Sequence, residues 1–330
     1  MQQVRGLRSR SLWGFLFAIG SASSFALSGI FASALMATGW SAGATTTARL
    51  VFAALVLLVP TIVALRGQWG LVLRAWRPVL LFGMLAVAGC QLAYFLAIQF
   101  IPPSLALLIE FMGPVLLVFW MWLRTRVAPS VLTLLGAALA VLGLLAISGV
   151  GIGGALHPLG IFFALIAAIG NAVYFAAGAS TAHGIPPLPF VGLGLIIAAV
   201  MISLASLLGV LPFAVSGEVV RLAAFEVHPA VAIAGMVLIS TVAAYVLGVA
   251  AARRLGATMS SFTGYSEAMF GIAWTILLLA VVPTPAQWAG AALIISGVVT
   301  VRIGELIRAR RHRRAFAQGT QRSRNGRASS

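Results

Sequence analysis

The sequence predicts an all-α integral membrane protein with ten transmembrane helices, arranged as an inverted repeat of five plus five. Hydrophobic residues make up 62% of the 330 positions and charged residues 8%, which is too little polarity to cover a soluble globule. Ten apolar runs of about 20 residues, the length that a bilayer requires, follow one another along the chain. A shift of 154 residues places the GAAL segment at 136–139 on an identical segment at 290–293. Together these features indicate a membrane protein built from two related halves.

Short breaks rich in proline and arginine separate the predicted spans. The spans cover residues 12–36, 43–65, 78–98, 103–122, 129–149, 157–180, 187–210, 229–250, 256–281 and 285–304. Five spans per half is an odd number, so the second half enters the membrane in the opposite orientation. The predicted organisation is an N-terminal segment (1–11), a first repeat (12–149), a linker (150–156), a second repeat (157–304) and a basic tail (305–330).

The distribution of arginine tests this count of spans. All 21 cationic residues are arginines, and a cytoplasmic N-terminus places 19 of them in cytoplasmic segments, as the positive-inside rule requires. Arg49 lies within a span, and Arg221 falls in an external loop between Glu218 and Glu226. A missed or invented helix would scramble this pattern. We therefore expect both termini in the cytoplasm.

Charge and cysteine usage argue against several other functions. Nine arginines lie at or beyond Arg302, so the net charge of +16 reflects a basic tail beside anionic lipid rather than a folded nucleic-acid reader. The single cysteine, Cys90, excludes an internal disulfide framework and is interpreted as a small buried hydrophobe. The GxGxxG pattern at 149–154 follows no strand and is interpreted as a flexible joint. We expect no cofactor and no metal.

Glu110 lies in the middle of an apolar run, where a carboxylate is costly and usually functional. Pro114 lacks the N–H that would bond the Glu110 carbonyl, so a kink is expected at the acid. Arg49 lies at a similar predicted depth, on the second span. The two residues could form a structural ion pair, or Glu110 could serve transport and Arg49 could bind a substrate carboxylate. For Arg49 we favour the structural role.

Glu267 is the best candidate for proton coupling. It lies near the middle of the ninth span, on a stripe of small and polar residues at helical spacing that includes Ser260, Gly264, Gly271 and Trp274. Burial in an apolar setting disfavours the charged form of a carboxyl group, which allows it to exchange protons as access alternates. The alternative is a neutral glutamic acid that bonds a neighbouring helix.

Further polar side chains at helical spacing predict which spans line a route. They are Ser21, Ser24 and Ser28 on the first span, Gln91 and Tyr94 on the third, Asn171 and Tyr174 on the sixth, and Thr241 and Tyr245 on the eighth. Each could also join two helices. All four tyrosines lie within spans, so we expect them to face a cavity. The fifth and tenth spans have no such stripe and are assigned to packing, with homodimer contact as a further option.

The pattern resembles the drug/metabolite transporter superfamily, in particular proteins with two EamA-type domains. The resemblance extends from about Leu12 to Ile303. The runs AIQ (97–99) and LIEFMGP (108–114) are similar to the threonine/homoserine exporter branch, and ARL (48–50) resembles the arginine motif of the second span. One difference is that Ala268 follows Glu267, where family members commonly have proline, so the resemblance leaves a helix break there uncertain.

The resemblance implies export of small metabolites, amino acids such as threonine or homoserine in the first place, across a bacterial inner membrane and in exchange for protons. A multidrug exporter, another metabolite exporter or an uptake permease of the same superfamily is the alternative. A passive channel, a lipid flippase and an intramembrane enzyme belong to other classes. An enzyme is disfavoured because the four histidines lack metal-ligand spacing and no nucleophile elbow is present.

Overall fold

A computed structural model describes residues 2–101, 103–148, 157–182, 184–222, 225–279, 282 and 284–328. Apart from one short hairpin, every regular element in these ranges is helical. Within these described ranges, eight helices are long and apolar enough to cross a membrane, which confirms the predicted class. They cover Leu12–Met36, Ala42–Ala64, Trp76–Ala97, Leu105–Thr125, Pro158–Ala179, Pro187–Leu207, Pro229–Leu255 and Pro285–Ile307.

The helices lie where the ten apolar runs predict them, but two of the runs do not give a long apolar helix. One gives the shorter helix Val131–Ser148, and the other is interrupted near Tyr265. The count of ten spans therefore remains a prediction. The predicted linker, with its GxGxxG pattern, lies outside the described residues, except that Ser148 ends a helix.

The elements are numbered in chain order. They are α1 (Gln2–Met36), α2 (Ala42–Ala64), α3 (Trp69–Arg74), α4 (Trp76–Leu81), α5 (Cys90–Ala97), α6 (Pro103–Glu110), α7 (Gly113–Thr125), α8 (Val131–Ser148), α9 (Pro158–Ala179), α10 (Pro187–Leu207), β1 (Val220–Leu222), β2 (Phe225–Val227), α11 (Pro229–Val237), α12 (Ala244–Leu255), α13 (Ala257–Gly264), α14 (Ser266–Leu279) and α15 (Pro285–Ala328). We call the two ends of the bundle the Leu12 end and the Met36 end, after the limits of the apolar part of α1.

The irregular points of the two halves occur at corresponding places. A π-helical segment joins α4 to α5 at Phe82–Gly89, and another joins α11 to α12 at Leu238–Ala243. The next helix along is interrupted in each half, after Glu110 in the first and at Tyr265 in the second. Pro114, in the first turn of α7, accounts for the first interruption because it cannot continue the hydrogen bonding of α6. The kink predicted at Glu110 is thus confirmed.

Helices α8 and α15 pack against each other through glycines. A Cβ atom on Gly136 would lie 2.6 Å from the Gly297 carbonyl oxygen, and one on Gly143 would lie 2.6 Å from that of Gly290. Both contacts are reciprocal, so the helices approach as closely as their backbones permit. The 154-residue shift converts one contact into the other, as expected for halves related by a two-fold axis. The packing role predicted for these segments is confirmed within one chain.

The remaining helix pairs show the same two-fold relation between the halves. Helix α1 packs on α12 and α14, and α9, its counterpart in the second half, packs on α5 and α7. Helices α2 and α10 are counterparts and pack on each other. The largest apolar cluster lies between α2, α10 and the first π-helical segment, and it includes Leu50, Phe82 and Phe190. A central cavity is therefore surrounded by the inner faces of α1 and α9 together with the interrupted helices.

The hairpin of β1 and β2 was not predicted. The two strands pair antiparallel, with Val220 opposite Val227 and Arg221 opposite Glu226. Val220 is fully buried in a cluster with Leu35 and Met236, which fixes the hairpin to the Met36 end. Alternation of apolar and charged residues over so few positions is too short a signal to separate from a loop.

Candidate functional site

A cavity of about 1130 Å³ lies between the two halves. Its wall follows α1 from Ala18 to Met36, and Arg221 lines it at the Met36 end. The Arg221 side chain is 82% exposed, so the cavity reaches the surface at that end. Helices α2, α5, α6, α9, α12, α13 and α14 contribute most of the other lining residues. Ile147 of α8 and Gln287 of α15 also line the cavity, although these two helices were assigned to packing.

The structure brings nine of the eleven predicted route residues to this cavity. They are Arg49, Gln91, Tyr94, Glu110, Asn171, Tyr174, Tyr245, Ser260 and Glu267. Ser24 is not part of the lining, although Ser21 and Ser28 of the same stripe are. Thr241 is fully buried, and its hydroxyl donates to the Met236 carbonyl oxygen at 3.0 Å inside the second π-helical segment. Placement in the wall does not itself assign a role, which remains a prediction for each residue.

Glu110 ends α6 and meets a thiol that sequence reasoning placed among the buried hydrophobes. The Cys90 Sγ lies 3.3 Å from Glu110 Oε1 and 3.3 Å from the Ala167 carbonyl oxygen. Its single proton can be donated to only one of these oxygens at a time. Cys90 also lines the cavity. Its position directly before Gln91, on a helix already expected to line the route, was the available signal.

Glu267 lies in the first turn of α14, immediately after the interruption at Tyr265. The helix break therefore forms although alanine, and not proline, follows Glu267. Unpaired N–H groups at a helix N-terminus favour a nearby carboxylate. Glu267, Glu110 and Arg49 all line the same cavity. The two acids thus belong to one site, with Glu110 at the C-terminal end of α6 and Glu267 at the N-terminal end of α14.

Arg49 is 9% exposed and lines the cavity. Its Nη1 donates to Ser28 Oγ at 2.7 Å, and its Nε–H has no acceptor. The exposed side chains of Arg221 and Glu226 pair at 2.9 Å, whereas no carboxylate oxygen of Glu110 lies within 4.0 Å of the Arg49 guanidinium. The Arg49–Glu110 ion pair favoured by the sequence is therefore not formed. Depth along a helix can be read from residue number, but the direction of each side chain around the helix axis cannot.

Aromatic side chains form one wall of the cavity. The rings of Tyr174 and Tyr245 pack edge to face with their centroids 5.6 Å apart. The centroid of the Phe25 ring lies 4.9 Å from that of Tyr245. Tyr94 also lines the cavity. Tyr265 does not, because its ring is 1% exposed and packs on Phe262 at 5.6 Å. The expectation that all four tyrosines face the cavity is therefore wrong for Tyr265, whose place is in the helix break.

At the Leu12 end the cavity lining on α1 stops at Ala18, and beyond it α1 packs closely on α12 and α15. A Cβ atom on Gly14 would lie 2.8 Å from Leu255 Cδ2, which leaves no gap between α1 and the end of α12. The Arg254 guanidinium carbon lies 4.6 Å from the centre of the Phe17 ring. Arg302 of α15 is placed in the same way over Phe15, at 4.9 Å. These contacts join α1 to α12 and α15 below the cavity.

The chemistry available in this site is proton exchange, ion binding and hydrogen bonding. Two carboxyl groups, two guanidinium groups, one thiol and three phenols face a single space. Within the described ranges, no group of three or more histidine, cysteine or acidic residues is placed to hold a metal ion. The cavity is large compared with a single amino acid and open at one end, which suits a solute that must enter and leave.

Comparison with known proteins gives three findings. The model of the EamA-like transporter family matches residues 12–149 and 158–303. The uncharacterized inner membrane transporter YicL of Salmonella typhimurium is 24% identical over 233 residues, which are 70% of this chain and 74% of that protein. A protein of known crystal structure superposes with a TM-score of 0.69 and 19% identity, over 89% of this chain and 98% of that one. This last likeness supports the fold alone.

Proposed function

Since the chain belongs to the EamA-like transporter family, with two matching segments, we propose that it is a secondary active transporter that exports small metabolites by alternating access. The observation that carries the proposal is the single cavity. Both halves contribute to it, it is open at the Met36 end, and it is closed at the Leu12 end. A closed end argues against a continuous pore and so against a passive channel.

The proposed topology has ten spans in an inverted repeat with both termini in the cytoplasm. The paired π-helical segments, the paired helix interruptions and the reciprocal contacts of α8 and α15 support the two-fold relation. The arginine distribution supports the orientation. In this topology the Met36 end faces outward, so the cavity is open to the exterior. Export then requires a second state in which the Leu12 end opens and the Met36 end closes.

Glu267 is the proposed coupling residue. Its carboxyl group takes a proton from the exterior as the solute leaves in the outward-open state, and releases that proton inside as the next solute binds. Glu267 lies in the first turn of α14 and lines the cavity, so its carboxyl group is placed to exchange a proton with the side to which the cavity is open. Amino acids such as threonine and homoserine are the first candidate solutes.

Transport by the purified protein tests this proposal. Proteoliposomes that contain the protein are given a pH gradient, and the movement of labelled amino acids, nucleosides and organic cations is compared with that in protein-free liposomes. We expect protein-dependent movement of at least one amino acid, faster with the gradient than without it. Movement of a solute down its own gradient at the same rate with and without a pH gradient would contradict proton coupling.

A further inference from the structure

The cavity holds a buried cationic group whose bonding is incomplete. Arg49 is more than nine-tenths buried, and of its guanidinium donors Nη1 is bound to Ser28 while Nε–H has no acceptor. A buried donor without an acceptor is costly, and a buried unpaired cation costs still more. A membrane protein that retains such a group normally uses it for a ligand or a partner.

No side chain of the described residues supplies the missing partner. Glu110 and Glu267 line the same cavity as Arg49, but neither carboxylate lies within 4.0 Å of the guanidinium. Glu110 Oε1 is instead contacted by the Cys90 thiol. Ser28 fixes one edge of the guanidinium by accepting from Nη1, which leaves Nε–H for a different acceptor. The planar guanidinium is thereby held in place, but no carboxylate of the described residues lies at contact distance to balance its charge.

We infer that Arg49 is the binding subsite for an oxyanion group, a carboxylate in the first place, of the solute that enters this cavity. A guanidinium presents parallel N–H donors that match the two oxygens of a carboxylate, and such charge-assisted bonds are the strong ones. The inference rests on the proposed transport function and narrows its solute to a class. An uncharged solute could accept a hydrogen bond from Arg49 but would leave its positive charge unpaired, and a purely cationic solute would be repelled by it.

Matched pairs of small ligands test the subsite without knowledge of the natural solute. Acetate, lactate and threonine are each compared with the corresponding primary amide, by thermal unfolding of the purified protein. The amide keeps the size and removes the negative charge. We expect the acids to raise the unfolding temperature by roughly 2–4 °C at saturating concentration, and the amides to raise it much less.

Two substitutions and one control assign the effect to Arg49. Arg49→Gln should abolish the difference between acid and amide, and Arg49→Lys should weaken acid binding about tenfold, because an ammonium keeps the charge and loses the planar fork. Arg221→Gln is the control, since Arg221 lines the same cavity at its mouth and already pairs with Glu226. It should leave the acid preference unchanged. If Arg49→Gln does not fold, the Lys variant decides.

Three results would overturn the inference. They are equal stabilisation by acids and amides, an acid preference that persists in the Arg49 variants, and a shift produced by phosphatidylglycerol but by no soluble acid. The last result would assign the oxyanion to a lipid headgroup instead of a solute. Failure of the subsite is distinguishable from failure of the transport function. Solute movement in proteoliposomes without acid preference refutes only the subsite, whereas acid binding without movement of any solute refutes only transport.

Discussion

Replacement of Gly143 by alanine tests the contact between α8 and α15, which joins the two halves of the fold. The new Cβ would lie 2.6 Å from the Gly290 carbonyl oxygen and 2.7 Å from Ile294 Cγ1, where ordinary contact begins at 3.4 Å. The two backbones must therefore separate locally by roughly 0.8 Å. Overpacking of this kind costs about 1–3 kcal/mol. We expect Gly143→Ala to lower the unfolding free energy by this amount relative to a glycine-to-alanine substitution that creates no such contact.

Gly29→Ala is the matched control for this substitution. Gly29 lies in α1, also within a membrane helix, and a Cβ atom there meets nothing within 4 Å. Both variants gain the same helix propensity, about 1 kcal/mol for alanine over glycine, so the difference between them isolates packing. Thermal unfolding in detergent should place Gly143→Ala below Gly29→Ala by on the order of 2–6 °C. An unfolding temperature equal to or above the control would refute the close contact.

Three further predictions concern access to the cavity, closure of the Leu12 end and the exposed ion pair of Arg221. The sole cysteine, Cys90, should react with a membrane-impermeant maleimide added from the Met36 side and not from the Leu12 side, with Cys90→Ser as the unlabelled control. Arg254→Ala removes a cation–π contact with Phe17 worth about 0.5–2 kcal/mol, so it should lower that labelling rate by favouring opening of the Leu12 end. Unchanged labelling would contradict a closure role. Arg221→Ala breaks only an exposed ion pair with Glu226 and should alter the unfolding free energy by less than about 1 kcal/mol, as measured by thermal unfolding.

Much of the fold could be predicted because a bilayer imposes simple rules on sequence. Apolar runs of fixed length gave the approximate helix limits, and Pro114 gave the interruption after Glu110. The repeated GAAL segments identified α8 and α15 as packing helices. The π-helical segments could not be predicted, since an extra residue in a helical turn leaves no mark on hydropathy. Nor does any proline mark the break at Tyr265.

Prediction of the site succeeded for helix faces and failed for individual partners. Polar residues at helical spacing identified the walls, because side chains three or four residues apart share a face. Arg49 was paired with Glu110 on depth alone, yet the structure turns Arg49 toward Ser28 and Glu110 toward Cys90. Tyr265 was assigned to the cavity although it packs into the helix break. The sequence did not give the rotation of each helix about its own axis, because that rotation is set by packing against neighbouring helices.

The central claim is that Glu267 couples solute movement to protons, and the Glu267→Gln variant tests it most directly. Solute exchange at equal pH requires solute binding but no proton gradient, so it separates coupling from binding. In proteoliposomes, uptake driven by a pH gradient is measured beside exchange of labelled for unlabelled solute at equal pH on both sides. Glu218→Gln, in the loop at the Met36 end and outside the cavity lining, is the control. We predict that Glu267→Gln loses gradient-driven uptake and retains exchange, while the control keeps both. Uptake by Glu267→Gln that still follows the pH gradient would contradict the account.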